Sequence, residues 1–316
     1  MLDVITIGDG MVTMDPKSSG PLRFVHEFER KVGGAELNFA VGSARLGLRT
    51  GWISRLGKDE FGRHILHFMR GEGVDVSNVE MVEGYSTSVN FKEVMDGGQG
   101  RTFYYRANSP MSTLRPEDLN PEMFAGARIL HVTGVFPSIE EKNIAIVRRA
   151  IALAKKEGLR ISLDPNIRLK MWSSERAREV LLSFLPDIDI LLTGEDEAEL
   201  LFGVGDEKEI VKVAESYGIS SIAIKKGGKG AVVAQDSEII EAEAVPAKEV
   251  VDTVGAGDGF DAAFIYGLLR EWPLERIAHF ATLVGSMVVS VRGDNEGLPH
   301  LEDVLVQLGE RSEVER

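Results

Sequence analysis

The sequence contains no cysteine, and this absence excludes several kinds of chemistry at once. None of its 316 residues can form a disulfide, a thiolate zinc site or a cysteine nucleophile. No apolar run approaches the roughly 18–20 residues that are needed to cross a bilayer. Residues 1–5 lack the basic and apolar regions of a signal peptide. We therefore expect a cytoplasmic protein that has no membrane partner.

Positive charge is also scarce. The 36 Lys and Arg residues are outnumbered by 50 Asp and Glu residues, which gives a net charge of −14. Such a balance argues against a protein that binds the phosphate backbone of nucleic acids, so we expect no nucleic-acid partner. It does not exclude a small anionic ligand, because a single pocket can be locally basic.

Several common catalytic motifs are missing as well. The chain has no G-x-x-x-x-G-K-[ST] phosphate loop, no H-E-x-x-H zinc motif and no G-x-S-x-G nucleophile turn. Residues 8–13 (GDGMVT) begin like a dinucleotide-binding fingerprint, but they lack its third glycine and precede a strand-like stretch. Walker-type NTPases, zinc hydrolases, serine hydrolases and Rossmann dehydrogenases are therefore disfavoured.

The second half of the chain has a regular texture. Apolar segments at 128–133, 160–164, 189–193 and 219–225 alternate with longer amphipathic segments. Strands that alternate with helices in this way imply βαβ crossovers and a mostly parallel sheet. The pattern predicts an α/β fold.

Two early stretches depart from that rhythm. Residues 22–30 alternate polar and apolar side chains, and residues 87–95 and 101–106 flank a turn signal at 96–100. We interpret these stretches as a small β-sheet beside the α/β body, formed by two insertions. The predicted division gives residues 1–9, 35–83 and 112–316 to the body and residues 10–34 and 84–111 to the β lid.

The most informative segment is DTVGAGDGF at residues 252–260. Its glycines let the backbone bend so that amides cluster at the start of a helix, where they stabilise an anion. Asp258 falls in the first helical turn and could accept a proton from a substrate hydroxyl. A glycine-rich turn capped by an aspartate is the simpler interpretation of a bare G-x-G-D, but the whole nine-residue string favours a functional site.

This string resembles the C-terminal signature of the ribokinase-like (PfkB) carbohydrate kinases. Residues 32–40 (VGGAELNFA) resemble the N-terminal signature of the same family, and the resemblance covers nearly the whole chain in order. It implies a ribokinase-like, Rossmann-type three-layer α/β body with a mostly parallel sheet and a small β-sheet lid. It also implies a sugar substrate, ATP as phosphoryl donor and Mg²⁺.

Finer details resemble one subgroup of that family, the 2-keto-3-deoxygluconate kinases. The matching segments are residues 33–38, 98–106, 164–168 and 292–297. The resemblance implies transfer of the γ-phosphoryl group of ATP to the terminal C6 hydroxyl of a sugar acid. Two positions differ: Asn90 stands where the subgroup more often has an aromatic residue, and Gly194 stands where the wider family often has an asparagine.

The resemblance also implies a role for individual residues. Asp258 would be the catalytic base, and the amides of Gly255, Ala256 and Gly257 would form the anion hole. The sugar would contact Asp258 and seven further residues: Gly34, Asn38, Asn90, Tyr104, Arg106, Asn166 and Arg168. The nucleotide side would comprise Arg168, Lys225, Gly227, Gly228, Gly230, Gly255 and Gly257. Glu197 would organise Mg²⁺ through water, and Asp252 and the loop at 292–297 would help to frame a site for a monovalent cation such as K⁺.

The arginines carry the prediction of a sugar acid. Arg106 and Arg168 could form planar, bidentate bonds to a carboxylate, which a neutral sugar would not need. Taken alone, each arginine is more simply a surface salt bridge. A kinase of fructose or ribose and a non-catalytic sugar sensor on the same scaffold remain as alternatives. Exposed edges of the lid sheet could pair between subunits, so we also expect a homo-oligomer.

Overall fold

The computed structural model describes residues 1–95, 100–236 and 238–312. The turn that the sequence predicts at 96–100 lies outside the described residues except for Gly100. Within the described part of the chain, no helix is long and apolar enough to span a membrane. The described residues form two sheets and the helices that cover the larger one.

The larger sheet has nine strands in the order β13-β12-β11-β10-β9-β8-β1-β4-β5 among the described residues. The pairs from β11 to β5 in this order are parallel, and β12 runs antiparallel to both of its neighbours, β11 and β13. The bounds of the strands are β1 Val4–Ile7, β4 Thr50–Gly57, β5 Val79–Val82, β8 Ile129–Thr133, β9 Arg160–Asp164, β10 Ile190–Gly194, β11 Ser221–Lys225, β12 Ala231–Gln235 and β13 Glu238–Ala242.

Helices cover both faces of this sheet. Their bounds are α1 Ala35–Arg45, α2 Glu60–Gly71, α3 Val135–Ile139, α4 Glu141–Lys156, α5 Ser174–Leu182, α6 Glu195–Phe202, α7 Glu207–Ser216, α8 Ala256–Leu269, α9 Leu274–Val288 and α10 Leu301–Gln307. One core cluster joins the sheet to α4–α7, and another joins it to α1, α8, α9 and α10. Successive residues of one strand serve opposite cores: Ile190 and Leu192 pack on the α8 side, and Leu191 packs on the α4 side. These layers confirm the predicted α/β fold.

The smaller sheet has four strands in the order β3-β2-β6-β7. The strands are β2 Met11–Pro16, β3 Phe28–Gly33, β6 Ser88–Val94 and β7 Gly100–Tyr105. Each pair that is close in sequence is antiparallel, and β2 joins the two pairs through a parallel contact with β6. The four strands thus come from two separate stretches of the chain.

The predicted strand at 22–30 is partly wrong. Pro21 leads into a 3₁₀ turn at Leu22–Phe24, and β3 begins only at Phe28. Phe24, which the alternation would place on one face of a strand, is 67% exposed. The polar–apolar alternation of residues 22–30 therefore does not correspond to the two faces of one strand.

Candidate active site

A cavity of about 640 Å³ lies where the smaller sheet faces the carboxyl ends of the parallel strands. In open α/β sheets this edge is the usual place for ligands. The sequence-predicted residues that line it are Gly34, Asn38, Asn90, Tyr104, Arg106, Asn166, Arg168, Gly255, Gly257 and Asp258. The fold therefore collects residues that lie up to 224 positions apart, from Gly34 to Asp258, around one space.

The start of α8 points its amides toward this cavity. Gly255 caps the helix with φ 81°, a left-handed conformation that glycine adopts without strain. A Cβ at this position would also lie 2.1 Å from the backbone oxygen of Asp294, so a side chain has no room. Among the described residues, no hydrogen bond uses the amides of Gly255 and Gly257, and that of Ala256 makes only a 3.4 Å contact with Thr253. The helix start can therefore donate to an anion.

Asp258 lies in the first turn of α8 and is buried. Its Oδ2 accepts a hydrogen bond from Nδ2 of Asn38 at 2.9 Å. Burial raises the pKa of Asp258 to about 7, although the bond from Asn38 and the charge of Arg168 oppose that rise. A carboxyl group with this pKa can exchange a proton near neutral pH, which suits a general base. The sequence alone gave no reason to expect so large a rise.

The turn before α1 brings Asn38 to Asp258. Gly34 has φ 141°, and a Cβ there would lie 2.6 Å from the backbone oxygen of Asp9. The amide of Asn38 donates to the oxygen of Gly34 at 2.7 Å, which fixes the first helical turn. The close approach of the two backbones explains why glycine is needed at this position.

The smaller sheet lines the cavity with β6 and β7. Asn90 is buried, and its Nδ2 lies 3.2 Å from Oγ1 of Thr13. Tyr104 lines the cavity and Tyr105 does not, because successive residues of a strand point to opposite faces. The guanidinium of Arg106 stacks 4.5 Å from the ring centre of Tyr104, and its Nη2 lies 3.2 Å from Sδ of Met171.

Arg168 follows β9 and enters the cavity from the body. Among the described residues its guanidinium makes no hydrogen bond or salt bridge. Its charge partly offsets the rise that burial causes in the pKa of Asp258. Nearby, Asn166 adopts φ 37° and donates through Nδ2 to Oδ2 of Asp164 at 3.3 Å. The free guanidinium of Arg168 is available to a ligand anion, whereas Asn166 is partly committed to Asp164.

A buried charge cluster lies behind the start of α8. Nζ of Lys225 is 3.0 Å from Oδ1 of Asp261 and 3.3 Å from Oδ2 of Asp164. Burial alone would lower the pKa of Lys225, but the two carboxylates outweigh it and keep the ammonium charged. A Cβ built on Gly257 would lie 3.7 Å from Nζ, so this fixed charge is next to the free amides.

Glu197 adjoins the same cluster. Its two carboxylate oxygens accept from the amides of Ile167 at 2.7 Å and Gly194 at 2.9 Å. Burial and the nearby Asp164 raise its pKa. In the described part of the chain, no three carboxylate or histidine side chains are grouped to hold a metal by themselves. The donor set fits Mg²⁺ only if phosphate oxygens and water complete its coordination, as Mg²⁺ prefers.

The other predicted nucleotide residues lie outside the cavity lining. Gly227 and Gly228 belong to a 3₁₀ turn after β11, with open space where a Cβ would be. Gly230 ends this turn, and a Cβ there would lie 2.0 Å from the oxygen of Ala242 on β13. The glycine at 230 is thus explained by packing between strands, whether or not a nucleotide lies nearby.

Two residues that the sequence predictions missed also line the cavity. Lys92 on β6 and Asp294 in the segment after α9 form an ion pair of 2.5 Å. Strand alternation could have identified Lys92, because it lies two residues after Asn90 and so faces the same side. Asp294 lies in the segment 292–297, which the family resemblance singles out, although no role was assigned to this residue itself.

Two further buried carboxyl groups were not among the predicted site residues. Burial raises the pKa of Glu36 to about 7, and its Oε1 accepts from Oγ1 of Thr133. Burial likewise raises the pKa of Asp9 to about 6, and its Oδ2 accepts from Oγ of Ser88 at 2.9 Å. Both groups line the same cavity as Asp258.

Comparison with known proteins identifies the family. The model of the pfkB family carbohydrate kinases matches residues 1–301, and the chain therefore belongs to this family of phosphotransferases.

Relatives with assigned names indicate which members of the family the chain resembles. The chain is 33% identical over 303 residues to a 2-dehydro-3-deoxygluconokinase of Thermoproteus tenax, covering 95% of this chain and 92% of the relative. It is 34% identical over 306 residues to a protein of that name from Bacillus subtilis, covering 95% and 94%. A provisionally named ribokinase II from E. coli, solved with ATP and Mg²⁺, superposes with a TM-score of 0.91 at 26% identity, covering 98% of this chain and all of its own. These proteins support a sugar kinase of the PfkB family.

Proposed function

We propose that this protein transfers the γ-phosphoryl group of ATP to the C6 hydroxyl of 2-keto-3-deoxygluconate, which is another name for 2-dehydro-3-deoxygluconate. The products would be 2-keto-3-deoxy-6-phosphogluconate and ADP. The observation that carries this choice is the guanidinium of Arg168, which has no partner among the described residues and lies in the same cavity as Asp258 and Arg106. The two relatives that bear this enzyme name support it.

The sugar acid would lie between the two sheets. Its carboxylate would bind Arg106 and Arg168, whose planar groups suit a carboxylate. Gly34, Asn38, Asn90, Tyr104 and Asn166 would surround the rest of the molecule. All five residues line the cavity.

Asp258 would take the proton of the C6 hydroxyl as the phosphoryl group arrives. Asn38 holds Oδ2 of Asp258, so the carboxylate keeps one orientation during the reaction. The amides of Gly255, Ala256 and Gly257 would stabilise the negative charge of the transferring group. In phosphoryl transfer, positioning and charge stabilisation of this kind supply most of the catalysis.

The nucleotide would approach from the side of Lys225 and the turn at 227–230. Bound Mg²⁺ would neutralise phosphate charge, with Glu197 holding it through water. Lys225 keeps a fixed positive charge beside Gly257 because Asp164 and Asp261 flank it. That charge does not depend on whether the nucleotide is present.

ADP release with Mg-ATP across a panel of sugars tests the proposal. The panel would contain 2-keto-3-deoxygluconate, its galactonate epimer, 5-keto-2-deoxygluconate, gluconate, fructose and ribose. We expect the highest kcat/KM with the 2-keto-3-deoxy acids. A preference for fructose or ribose would contradict the assigned roles of Arg106 and Arg168, and sugar binding without ADP release would indicate a sensor.

A further inference from the structure

A cluster of charged side chains connects the smaller sheet to the body beside the start of α8. Its members, which we call the bridging cluster, are Asp15, Lys31 and Lys92 of the smaller sheet and Asp252, Arg292, Asp294 and Glu296 of the body. The catalytic steps proposed above use none of its cations.

Lys92 is its central cation. Nζ lies 2.5 Å from Oδ1 of Asp294, 3.7 Å from Oδ1 of Asp15 and 3.8 Å from Oδ2 of Asp252. Its side chain is only 14% exposed. Burial alone would lower the pKa of Lys92, but Asp294 and Asp15 outweigh burial and keep the ammonium charged. One lysine thus faces three carboxylates from three parts of the chain.

Two of those carboxylates adjoin the proposed anion hole: Asp252 lies in the turn that leads into it, and Asp294 packs against Gly255. Asp252 accepts from the amide of Val254 at 3.1 Å and from that of Gly293 at 3.3 Å. Asp294 lies so close to Gly255 that its backbone oxygen would clash with a Cβ there. A shift of either aspartate would therefore move the turn that presents the amides of Gly255 and Gly257.

The residues present do not fit the monovalent cation that the sequence predicted at Asp252. Both oxygens of this carboxylate already accept backbone amides, and the ammonium of Lys92 lies within 4 Å of one of them. A second cation at that carboxylate would lie close to the ammonium, and burial makes like charges repel more strongly than in water. The ammonium group of Lys92 therefore supplies the positive charge beside the carboxylate of Asp252.

We propose that Lys92 is a positioning residue that joins Asp252 to Asp294 from the smaller sheet, so that the anion hole is assembled without an added monovalent cation. The inference rests on the proposed phosphoryl transfer at Gly255–Gly257. It gives the smaller sheet a role in the reaction step as well as in sugar binding. It also predicts that the wild-type enzyme does not require K⁺.

The test compares Lys92→Met with Lys31→Met in buffers of equal ionic strength. Lys31 is a matched control because it belongs to the same cluster and its side chain is similarly buried, at 10% exposed, but it contacts Asp15, Glu296 and the oxygen of Arg292. Each protein is assayed in tetramethylammonium chloride and in KCl or NH₄Cl. The sugar is the best substrate from the panel, so the result does not depend on which sugar acid it is.

Without K⁺ or NH₄⁺ we expect Lys92→Met to lower kcat by roughly ten- to hundredfold, because the reacting groups become misaligned. K⁺ or NH₄⁺ should restore a large part of that loss by entering the space of the ammonium. Wild type and Lys31→Met should change by less than about twofold between the salts, because equal ionic strength keeps the screening of charges the same. Lys92→Arg should keep most of the wild-type kcat in every salt.

Three outcomes would overturn the proposal. They are strong K⁺ activation of the wild type, an unchanged kcat in Lys92→Met, and a rise only in the KM of the sugar that no cation reverses. The last would make Lys92 a substrate contact. A melting-temperature comparison in the two salts gives a second readout: only Lys92→Met should be stabilised by K⁺. If no sugar in the panel is phosphorylated, the proposed substrate is wrong. The melting temperatures of Lys92→Met and of the wild type in the two salts then still decide the role of Lys92.

Discussion

The two sheets of this protein differ in how their strands are held. In the nine-stranded sheet, β1 and β8 are buried along their whole length between helices on both faces. In the four-stranded sheet, β7 leaves Phe103, Tyr104 and Tyr105 between 38% and 64% exposed. Apolar packing on both faces fixes the larger sheet, whereas the smaller sheet is held to the body on one face only, by an apolar cluster that includes Val12 and Val32 and by the charged contacts of Lys92.

This difference separates the groups that carry out the reaction from the groups that bind the substrate. Asp258 and the free amides belong to a helix whose inner face is packed, so their geometry is set before a ligand arrives. Tyr104 lies on a sheet with one solvated side, and Arg106 follows directly after β7, so both side chains can adjust to a substrate. Changes at the start of α8 should therefore act mainly on kcat, and changes to the groups that bind the acid, on either side of the cavity, should act mainly on KM.

Asp258→Asn should give the largest effect. An amide cannot take the hydroxyl proton, and we expect kcat to fall by roughly 10²–10⁴-fold, the range for loss of a general base. ATP binding should stay within about threefold of wild type, because Asn keeps the volume and neutrality of a protonated Asp. Turnover and nucleotide titration of the purified variant check both points. Near-normal turnover would remove Asp258 from the reaction.

Gly255→Ala tests whether the start of α8 is preorganised, because the substitution disturbs the backbone there without removing a titratable group. The new Cβ would meet the oxygen of Asp294 at 2.1 Å, so the helix start must move. We expect kcat to fall by about 10²-fold, since small displacements of catalytic groups have effects of that size. Gly71→Ala is the control, because open space surrounds that position. Equal kcat values for the two variants would contradict a preorganised anion hole.

Arg168→Ala should change KM rather than kcat. Loss of a charge-assisted bond to the carboxylate should raise the KM of the sugar acid by roughly ten- to hundredfold. Steady-state kinetics with the acid and with a neutral sugar separate the two effects, since only the acid should respond. Arg63→Ala is the control, because Arg63 is an exposed arginine paired with Glu60 on α2. An unchanged KM would show that the acid binds elsewhere.

The pKa of Asp258 links activity to pH. The base must be ionised, so kcat/KM should fall about tenfold per pH unit below pH 7 and level off above it. A flat profile from pH 5.5 to 8 would contradict a raised pKa.

Stability should show the opposite trend, because the folded state favours the neutral acid. The stability contributed by Asp258 is fully present below its unfolded pKa of 3.8 and is lost as pH rises through about 7. Asp258→Asn should therefore be more stable than wild type at pH 8, by roughly 2–4 kcal/mol, and the difference should shrink toward pH 4. Denaturation in urea at both pH values measures it.

The smallest effect should come from Tyr104→Ala. Its ring stacks on Arg106 at an exposed site, where such a contact is worth about 0.5–1 kcal/mol. We expect the KM of the sugar acid to rise about two- to fivefold. Tyr105→Ala is the control, because this neighbour lies outside the cavity and packs edge-on against Phe91. Equal effects on KM would mean that the cavity wall has been assigned to the wrong face of β7.

Much of the large sheet could be predicted because its signals are local. The strands predicted at 128–133 and 160–164 each have their own apolar run, and the helix between them has its own amphipathic periodicity. The small sheet was harder to predict. Strand β2 was missed because Met11–Pro16 gains its partners from β3 and β6, and β6 begins 77 positions after Met11.

The sequence by itself determined the α/β class, the glycine-rich start of α8 and the family to which the chain belongs, because short motifs and periodic patterns encode them locally. The tertiary structure alone decided the pKa of Asp258, the pairing of Asn38 with it, and the place of Lys92 between Asp252 and Asp294. Burial and charge act through space, and the sequence order of these residues does not reveal which distant groups will exclude water from a carboxyl or neutralise it.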